Sequence, residues 1–520
     1  MSDIREQHKF LIPSPTEIYL LVAAGWAGLC FALMINGDRL VRQIARMSRT
    51  AAELLMGTDL VTVLPFVMVA GMIGLAVAFS SFARSDKAFI FGLMIAFAFA
   101  DSTWAAFHYL AFAVKYLAIL YLGAFGLYFV YRNWNRITQT VHWLVIAYLI
   151  WMTVVVFYYG ARLNGLWYIG TQFTLCVAFG IGWMNRVDDD KKLMDFNIVL
   201  AYAAIAMTCL NMLSPLVAPK VFDGGRYISQ FGTATGFATT YVLFVIAIVW
   251  LFLAHPDKTI RRIAAVFSIL GVGMILLSGT RNATAALACA IILLSFTFKS
   301  RIIIYAVGAG AFFGAVIYLI AGNTETATGL ADRMGSLRNT RIELWQVYVQ
   351  SVMERPLFGW GPSGQTGAFY GAQAQEYADK YTSRGFAPGV HNAILGQAVR
   401  FGIPGVMLFL GMFGYAFWRA KEIVLDKEIP QHYKRAFSLP LAILVTLFLE
   451  GAFEDNFATT RGTAVNVLFG TMVILVVMSA ERIKLKVAQD KANGVTSGDV
   501  DADVDDAVEP DGTPKKLVRI

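Results

Sequence analysis

The stretch Gly389–Val406, "GVHNAILGQAVRFGIPGV", places a histidine where a long polar part of the chain meets an apolar run. Only six histidines occur in the 520 residues, and Asn392, a residue type that caps helix starts, follows this one directly. A histidine at a helix end is more often structural than catalytic, but imidazole also transfers protons best near neutral pH. For His391 both interpretations stay open on this stretch alone.

The apolar run behind His391 is one of many along the chain. The protein is 57% hydrophobic and 15% charged, a balance far from that of soluble proteins. Apolar runs of about 20 residues, long enough to cross a bilayer as helices, recur almost throughout. We therefore predict an all-α, polytopic helical membrane protein with about 12–14 transmembrane helices and one long external loop that contains helices.

The N-terminus and the cysteines agree with a membrane-embedded chain. The polar start "MSDIREQHKF" has no small-residue cleavage site behind it, so the first apolar run is expected to be a retained helix. All four cysteines lie in apolar runs: Cys30, Cys176, Cys209 and Cys289. We predict that they are small packing residues, with no disulfide and no metal site. The net charge of +8 comes from basic residues between the runs and does not indicate nucleic-acid binding.

Charge also predicts the orientation of the chain. Basic segments fall on alternate connections, which we place in the cytoplasm. These segments are Arg84–Lys87, Arg132–Arg136, Asn185–Lys192, His255–Arg262, Lys299–Arg301 and Arg419–Arg435. The external connections are then residues 101–108, the turn at Arg162, Ser214–Thr235, the turn at Thr280–Arg281, Asn323–Val390 and Glu450–Gly462. Asn36–Leu55 is the exception, because it carries four arginines on an external connection: either it is an amphipathic surface helix, or the count of spans before residue 84 is off by one.

These features divide the chain into five parts. They are a cytoplasmic N-terminus (1–16), transmembrane helices with short loops (17–321), a long external loop (322–390), C-terminal transmembrane helices (391–486) and a cytoplasmic tail (487–520). The tail is polar and acidic and has no aromatic residue, so we expect it to be disordered.

Cations on the external side need an explanation, because basic residues concentrate inside. The external arginines that stand out are Arg226, Arg281, Arg341 and Arg461. Arg281 follows a tight turn between two apolar runs, where the alternative to a ligand is a side chain that snorkels to the membrane surface. Lys115 lies about two turns inside a span, a costly position unless a carboxylate such as Asp101 or an anionic ligand pairs with the lysine.

The long external loop contains one clear helix signal, "NTRIELWQVYVQSVMERPLFGWG". Thr340 and Glu343 form a capping box, and Pro356 and Gly359 end the helix. Apolar side chains repeat at helical spacing: Ile342, Trp345, Val349 and Val352. Arg341 falls in the first turn, where it could add charge to the anion site that free N–H groups make at a helix start. The alternative for Arg341 is a solvated side chain paired with an acidic neighbour.

The order of these motifs resembles a known family. "RYISQFGTATGFA" precedes one span, "SGTR" stands at an external turn, and the long loop holds R-x-x-x-W, "RPLFGWG" and "HNAILGQAVRFGIPG". Together they resemble the O-antigen ligase and O-antigen polymerase superfamily of bacterial inner-membrane proteins. The likeness is strongest from about Arg226 to Val406.

The resemblance implies a GT-C-like fold and a glycosyltransferase that acts on the periplasmic face. Such enzymes transfer a glycan from an undecaprenyl-diphosphate carrier to an acceptor hydroxyl. The acceptor is lipid A–core in ligases and a lipid-linked repeat unit in polymerases. The reaction is implied to invert the anomeric centre and to need neither a metal nor another cofactor.

The resemblance also implies roles for individual residues. Arg281, Arg341 and His391 match the family's catalytic positions, and Arg226 matches a further arginine. Because a lipid diphosphate is a multiply charged leaving group, arginines suit its binding, with Lys115 as a further candidate. His391 would deprotonate or orient the acceptor hydroxyl.

The chain departs from the family pattern at three places. Thr280 stands where serine is common, Arg400 where an acidic residue is common, and "QFGTATGFA" lacks an Asn-Pro pair, which leaves the role of Arg226 open. Polymerisation of O-antigen or exopolysaccharide units is the nearest alternative function. A polysaccharide or lipid transporter is the rival from another class; it predicts internal repeats and broken helices near the bilayer midplane. A structural membrane scaffold is the third option.

Overall fold

The computed structural model describes residues 130–131, 140–160, 163–173, 176–177, 180–181, 190–214, 221–223, 226–229, 231, 233–300, 341–362, 390–454 and 463–493. Several predictions lie outside these residues. They concern the N-terminus 1–16, Cys30, the arginine-rich segment Asn36–Leu55, Lys115, Arg461, most of the loop 322–390 and the tail beyond residue 493.

The described residues form ten helices and one short β-ribbon. The helices are α1 (Thr140–Tyr158), α2 (Leu163–Phe173), α3 (Asp190–Met212), α4 (Ala234–Ala254), α5 (Lys258–Leu277), α6 (Arg281–Phe298), α7 (Arg341–Glu354), α8 (Ala393–Val424), α9 (Gln431–Phe453) and α10 (Thr463–Ala492). Strands β1 (Phe222–Asp223) and β2 (Arg226–Tyr227) pair antiparallel before α4. This ribbon is the one departure from the predicted all-α class in the described part of the chain.

Seven of these helices are long and apolar enough to span a membrane: α1, α3, α4, α5, α6, α8 and α9. These seven helices confirm the predicted polytopic helical membrane fold. Helices suit a bilayer because they satisfy every backbone polar group internally, where lipid offers no partner. Of the described cysteines, Cys176 is buried, while Cys209 and Cys289 are exposed on α3 and α6; all three are free thiols. The prediction that cysteines pack inside is therefore wrong for the latter two.

Helix α4 forms the centre of the bundle. Its side chains from Phe237 to Leu251 are all buried, and it packs against α3, α5, α6 and α9. Helix α6 lies along α9, and α8 lies between α1 and α10. Buried polar groups join neighbouring helices: the Tyr241 hydroxyl donates to Thr208 Oγ1 at 2.7 Å and the Tyr148 hydroxyl to Gln397 Oε1 at 2.7 Å. Such bonds remove the cost of a polar group in an apolar interior.

Helix α8 is broken at Gly402, where φ is +71°. Pro404 has no N–H, so the carbonyl of Arg400 loses its usual helical partner. The turn Pro356–Gly361 replaces the missing bonds. Gly361 N donates to Arg400 O at 2.9 Å, Trp360 N donates to Val399 O at 2.8 Å, and Ile403 N donates to Pro356 O at 2.7 Å.

Two glycines allow this close approach of backbones. A Cβ on Gly402 would lie 2.1 Å from Leu357 O, and a Cβ on Gly359 would lie 2.5 Å from Val399 O. Both residues also have positive φ, which L side chains rarely adopt. The motif "PLFGWG" therefore serves as a backbone splint for the helix that begins behind His391.

Successive connections between the described helices lie at opposite ends of the bundle. Arg226 reaches the 278–280 turn, and His391 reaches the end of α9, so the predicted external segments share one end. At the other end Trp250 Nε1 donates to Arg435 O, and Lys484 pairs with Glu422 at 2.7 Å.

Two helices continue beyond the points where the sequence analysis places a loop or tail. Helix α9 continues to Phe453, so Glu450 lies in a helix rather than in the predicted loop Glu450–Gly462. Helix α10 continues to Ala492, beyond the predicted end of the C-terminal helices at residue 486.

Candidate functional site

The guanidinium of Arg226 holds the turn that leads into α6. Its Nε donates to Ser278 O at 2.7 Å and its Nη2 donates to Thr280 Oγ1 at 2.9 Å. Ser278 and Thr280 are both buried. Two bonds from one planar cation fix the turn in both position and angle. The structure thus brings Arg226 beside the predicted "SGTR" motif, 52 residues further along the chain.

Arg281 is the first residue of α6, as its place at the predicted turn indicates. Its side chain is exposed at this end of the bundle. Thr280 occupies the N-cap position but makes no side-chain capping bond, because its Oγ1 accepts from Arg226 instead. The side chain of Thr280 therefore does not occupy the N–H groups in the first turn of α6, where the helix dipole favours an anion.

Asn282 connects the start of α6 to α9. Its Nδ2 donates to Glu450 Oε2 at 2.9 Å. Glu450 is 2% exposed, and Glu454, four residues later, is 4% exposed. Glu454 directly follows the last residue of α9 as its C-cap. The C-terminal end of α9 therefore presents two buried carboxylates, one towards α6 and the other towards His391.

His391 contacts the second of these carboxylates. Its Nδ1 lies 3.1 Å from Glu454 Oε2, and the imidazole is 38% exposed while the carboxylate is 6% exposed. The backbone of His391 has a φ of +47°, a strained conformation for a residue with a Cβ. Strain of this kind costs about 1–3 kcal/mol and persists where the surroundings hold the residue in place.

Three contacts of neighbouring residues hold this position. Asn392 is the N-cap of α8, as predicted, and its Oδ1 accepts from Leu395 N at 2.9 Å. Trp345 of α7 donates from Nε1 to Val390 O at 3.0 Å. Beneath them, Val390 packs in a small apolar cluster with residues of α7 and α8: Leu344, Tyr348, Val352, Ala398 and Val399.

The remaining predicted site residues are placed only in part. The backbone of Arg341 begins α7, as the capping-box pattern predicts, and the helix ends at Glu354, just before Pro356. The side chain of Arg341 and all of Lys115 lie outside the described residues. The structure therefore joins Arg226, Arg281 and His391 into one region through the chain of contacts Thr280, Asn282, Glu450 and Glu454.

Glu450 and Glu454 are the site residues that sequence reasoning missed. They lie at the end of an apolar run, in "FLEGAFEDNF", where the sequence analysis predicts the loop Glu450–Gly462. A usable signal was present, because two acidic residues four apart at the end of a membrane span share a helix face and are expensive there without partners. Nothing in the sequence, however, indicates that one of them faces His391.

The arrangement offers proton transfer and anion binding. A histidine held by a carboxylate at one ring nitrogen is oriented for acid–base work at the other. An arginine at a helix start suits a phosphate group. In the described part of the chain, no three His, Cys, Asp or Glu side chains form a group that could hold a metal ion.

Comparison with known proteins agrees with the motif pattern. Residues 266–410 match the family model described as O-antigen ligase. This segment includes Arg281, Arg341 and His391 and leaves Arg226, Glu450 and Glu454 outside. No curated protein matches the chain. Residues 266–410 of this multi-pass membrane protein are thus similar to the O-antigen ligase family, which is consistent with the O-antigen ligase and polymerase superfamily.

Proposed function

We propose that this protein transfers a glycan from an undecaprenyl-diphosphate carrier to an acceptor hydroxyl on the periplasmic face of the bacterial inner membrane. The family match supports ligase- or polymerase-like activity in general. The observation that carries the finer proposal is the contact of His391 Nδ1 with the buried carboxylate of Glu454, joined through Glu450 and Asn282 to the helix start at Arg281.

His391 acts as the general base. In this mechanism Nδ1–H donates a hydrogen bond to Glu454 Oε2, so Nε2 is the basic nitrogen of the ring. Nε2 takes the proton of the acceptor hydroxyl while the hydroxyl oxygen attacks the anomeric carbon. The imidazolium that forms is stabilised by the carboxylate of Glu454, which is buried and therefore weakly screened.

Arg281 stabilises the leaving group. The bond from the anomeric carbon to the diphosphate oxygen breaks as the new glycosidic bond forms, and its electron pair stays on the diphosphate. This single displacement inverts the anomeric centre and requires no metal. The guanidinium of Arg281 and the N–H groups at the start of α6 face the growing negative charge. Arg341, at the start of α7, is proposed as the second diphosphate ligand.

Arg226 has mainly a positioning role in this scheme. Two of its donors are engaged by Ser278 and Thr280, so it holds the turn from which Arg281 projects. Diphosphate binding by its remaining donors, and by Lys115, stays a prediction. The acceptor is proposed to be lipid A–core, as in ligases. Polymerisation of O-antigen or exopolysaccharide units is the alternative that uses the same site.

A transporter is the less favoured reading. Broken helices are typical of transporters, where unwound backbone lines a substrate cavity. The break in α8 differs, because protein backbone from the Pro356–Gly361 turn bonds to Val399 O, Arg400 O and Ile403 N. This closed arrangement supports a fixed scaffold for His391 rather than an ion or substrate site at the break.

The test is transfer by the purified full chain in lipid vesicles, with a lipid-diphosphate glycan donor and lipid A–core acceptor. We expect His391→Ala and Arg281→Ala to lower the rate by about 10²–10⁴-fold. Matched controls at the opposite end of the bundle, His255→Ala and Arg262→Ala, should retain the wild-type rate. Wild-type rates in both site variants would contradict the proposal.

Deletion of the gene separates the possible acceptors. Bare lipid A–core with polymerised glycan left on undecaprenyl diphosphate identifies a ligase. Core that carries a single repeat unit identifies an O-antigen polymerase, and loss of a separate polysaccharide identifies a polymerase for that polymer. Unchanged surface glycans would remove the proposal's main support.

A further inference from the structure

The surface of α7 divides into three stripes. Leu344, Tyr348 and Val352 are buried against α8. Gln346, Gln350 and Glu354 are exposed polar residues. Between these two faces runs a row of exposed apolar side chains: Val349 at 51%, Met353 at 69% and, in the turn that follows, Leu357 at 54%. The predicted apolar face of this helix is therefore split, with Val352 buried and Val349 exposed.

The order of the stripes fits a helix that lies at the boundary between water and lipid. At about 100° per residue, Val349 and Met353 project about 40° apart, and Gln350 and Glu354 project about 60° and about 100° beyond Met353. Gln346 lies at the border between the two rows, about 20° from Met353. In water, an exposed apolar row beside the buried face would cost hydration free energy. A helix that lies in the membrane interface places such a row among the lipids and its polar row in water.

The apolar row continues onto the lipid-facing side of α8. Ile403 N donates to Pro356 O, which places Ile403 directly beside the end of the row. From there α8 exposes a further apolar row at helical spacing: Ile403 at 42%, Met407 at 67% and Leu410 at 37%. Helix α8 is a candidate membrane span, so an exposed apolar row on it is suited to face acyl chains. The end of the first row lies beside the start of the second.

A cluster of aromatic and basic side chains lies beside the end of the apolar row. Phe358 stacks between Trp151 and Tyr158, with ring centroids 5.5 and 4.5 Å apart. The guanidinium of Arg355 lies 4.0 Å from the ring centroid of Trp360. Tryptophan, tyrosine and arginine concentrate where a membrane protein meets the headgroup layer. This cluster adjoins Leu357, the last residue of the apolar row.

We propose that α7 is an interfacial helix whose row Val349, Met353 and Leu357 is immersed in the lipid leaflet on the His391 side of the membrane. Its partner is the bilayer itself. Because Trp345 Nε1 also bonds to Val390 O, the depth of α7 fixes the height of His391 relative to the headgroups. The inference concerns where the helix lies, and it stands whether or not the transfer reaction is as proposed.

The experiment measures the surroundings of single side chains in the full chain. Each native cysteine (Cys30, Cys176, Cys209 and Cys289) is replaced, and a nitroxide label is attached at one new cysteine per variant. The apolar row is sampled by Val349→Cys, Met353→Cys and Leu357→Cys, and the polar row by Gln350→Cys and Glu354→Cys, which point furthest from the apolar row. The protein is reconstituted in phosphatidylethanolamine and phosphatidylglycerol vesicles.

Relaxation by oxygen, which concentrates in lipid, is compared with relaxation by a water-soluble nickel chelate. We expect a several-fold higher oxygen-to-nickel ratio at the apolar row than at the polar row. Equal ratios along both rows would overturn the proposal, because α7 would then be in water. Low access of both reagents to the apolar row would also overturn it, since protein would then cover that face. Each row is sampled at more than one position, so one misfolded variant does not decide the result.

Discussion

At the scale of single residues, the proposed proton transfer depends on the contact between His391 and Glu454. The carboxylate is buried at the end of α9 and lies 3.1 Å from Nδ1, while the imidazole is partly exposed. Glu450, one turn earlier, makes the corresponding contact with Asn282 at the start of α6. In the proposed mechanism, the C-terminal end of α9 thus positions both the base His391 and the helix start at Arg281.

Glu454→Gln tests this arrangement. The amide keeps the size of the side chain but loses the charge that stabilises the imidazolium, so we expect kcat to fall by about 10²-fold or more with KM little changed. Transfer kinetics in vesicles measure both constants. Glu428→Gln is the control, because Glu428 is an exposed carboxylate at the opposite end that pairs with Lys491. A wild-type kcat in Glu454→Gln would remove Glu454 from the mechanism.

Thr280 tests the positioning role of Arg226. Thr280→Val keeps the side-chain shape and removes the oxygen that accepts from Arg226 Nη2, so we expect about a tenfold lower rate of transfer. Thr280→Ser keeps the oxygen and should stay within about twofold of the wild-type rate. Equal rates in the two variants, measured in the same assay, would show that the bond does not matter.

The sequence suggests His391, Arg281 and Arg226 as candidate site residues because each belongs to a short motif, and their roles stay a prediction. It placed Asn392 as a helix cap and Arg341 at a helix start for the same reason, since capping is a local interaction. The carboxylates were missed because their partners lie far away in the chain. Glu454 is 63 residues from His391, and Glu450 is 168 residues from Asn282.

At the scale of elements, the break in α8 shows how two motifs depend on one another. The glycine and proline of "GIPG" open the helix, and the glycines of "PLFGWG" let another backbone close it. Each motif on its own indicates only a loop or a helix disruption. Their joint role requires a contact between segments that the sequence does not pair.

Gly402→Ala tests the splint. A Cβ there would meet Leu357 O at 2.1 Å and would force an alanine to positive φ. We expect a loss of stability of at least about 1–3 kcal/mol from the backbone conformation alone, read as a lower apparent Tm in detergent micelles. Gly411→Ala and Gly414→Ala on the same helix are the controls, since a Cβ meets nothing within 4 Å at either site. These controls should keep or slightly raise the Tm; a Tm for Gly402→Ala equal to theirs would contradict the splint.

At the scale of the whole molecule, alternate connections meet at opposite ends of the bundle. The predicted external segments hold the candidate site, and the basic segments hold the ion pairs of Glu422 and Glu428. The sequence could predict this division because charge bias acts on every connection separately. The packing order of the helices could not be predicted, because nearly uniform apolar faces do not specify neighbours.

Cysteine labelling of intact cells measures the orientation. In a chain without its native cysteines, Glu354→Cys should react with a membrane-impermeant maleimide, and Lys427→Cys should react only after the membrane is opened. Both positions are exposed and lie at opposite ends of the bundle. The reverse pattern would place the site in the cytoplasm and exclude a periplasmic transfer reaction.

Two bonds fix the long loop at either side of residues 363–389, one to α7 and one to α8. Trp360 N to Val399 O holds the chain just before residues 363–389, and Trp345 Nε1 to Val390 O holds it just after them. One of these bonds is made to α8 and the other to α7, and the latter holds Val390, which directly precedes His391 in the chain. We therefore expect changes in the length of the segment 363–389 that keep Trp345, Val390 and Trp360 to leave the position of His391 unchanged.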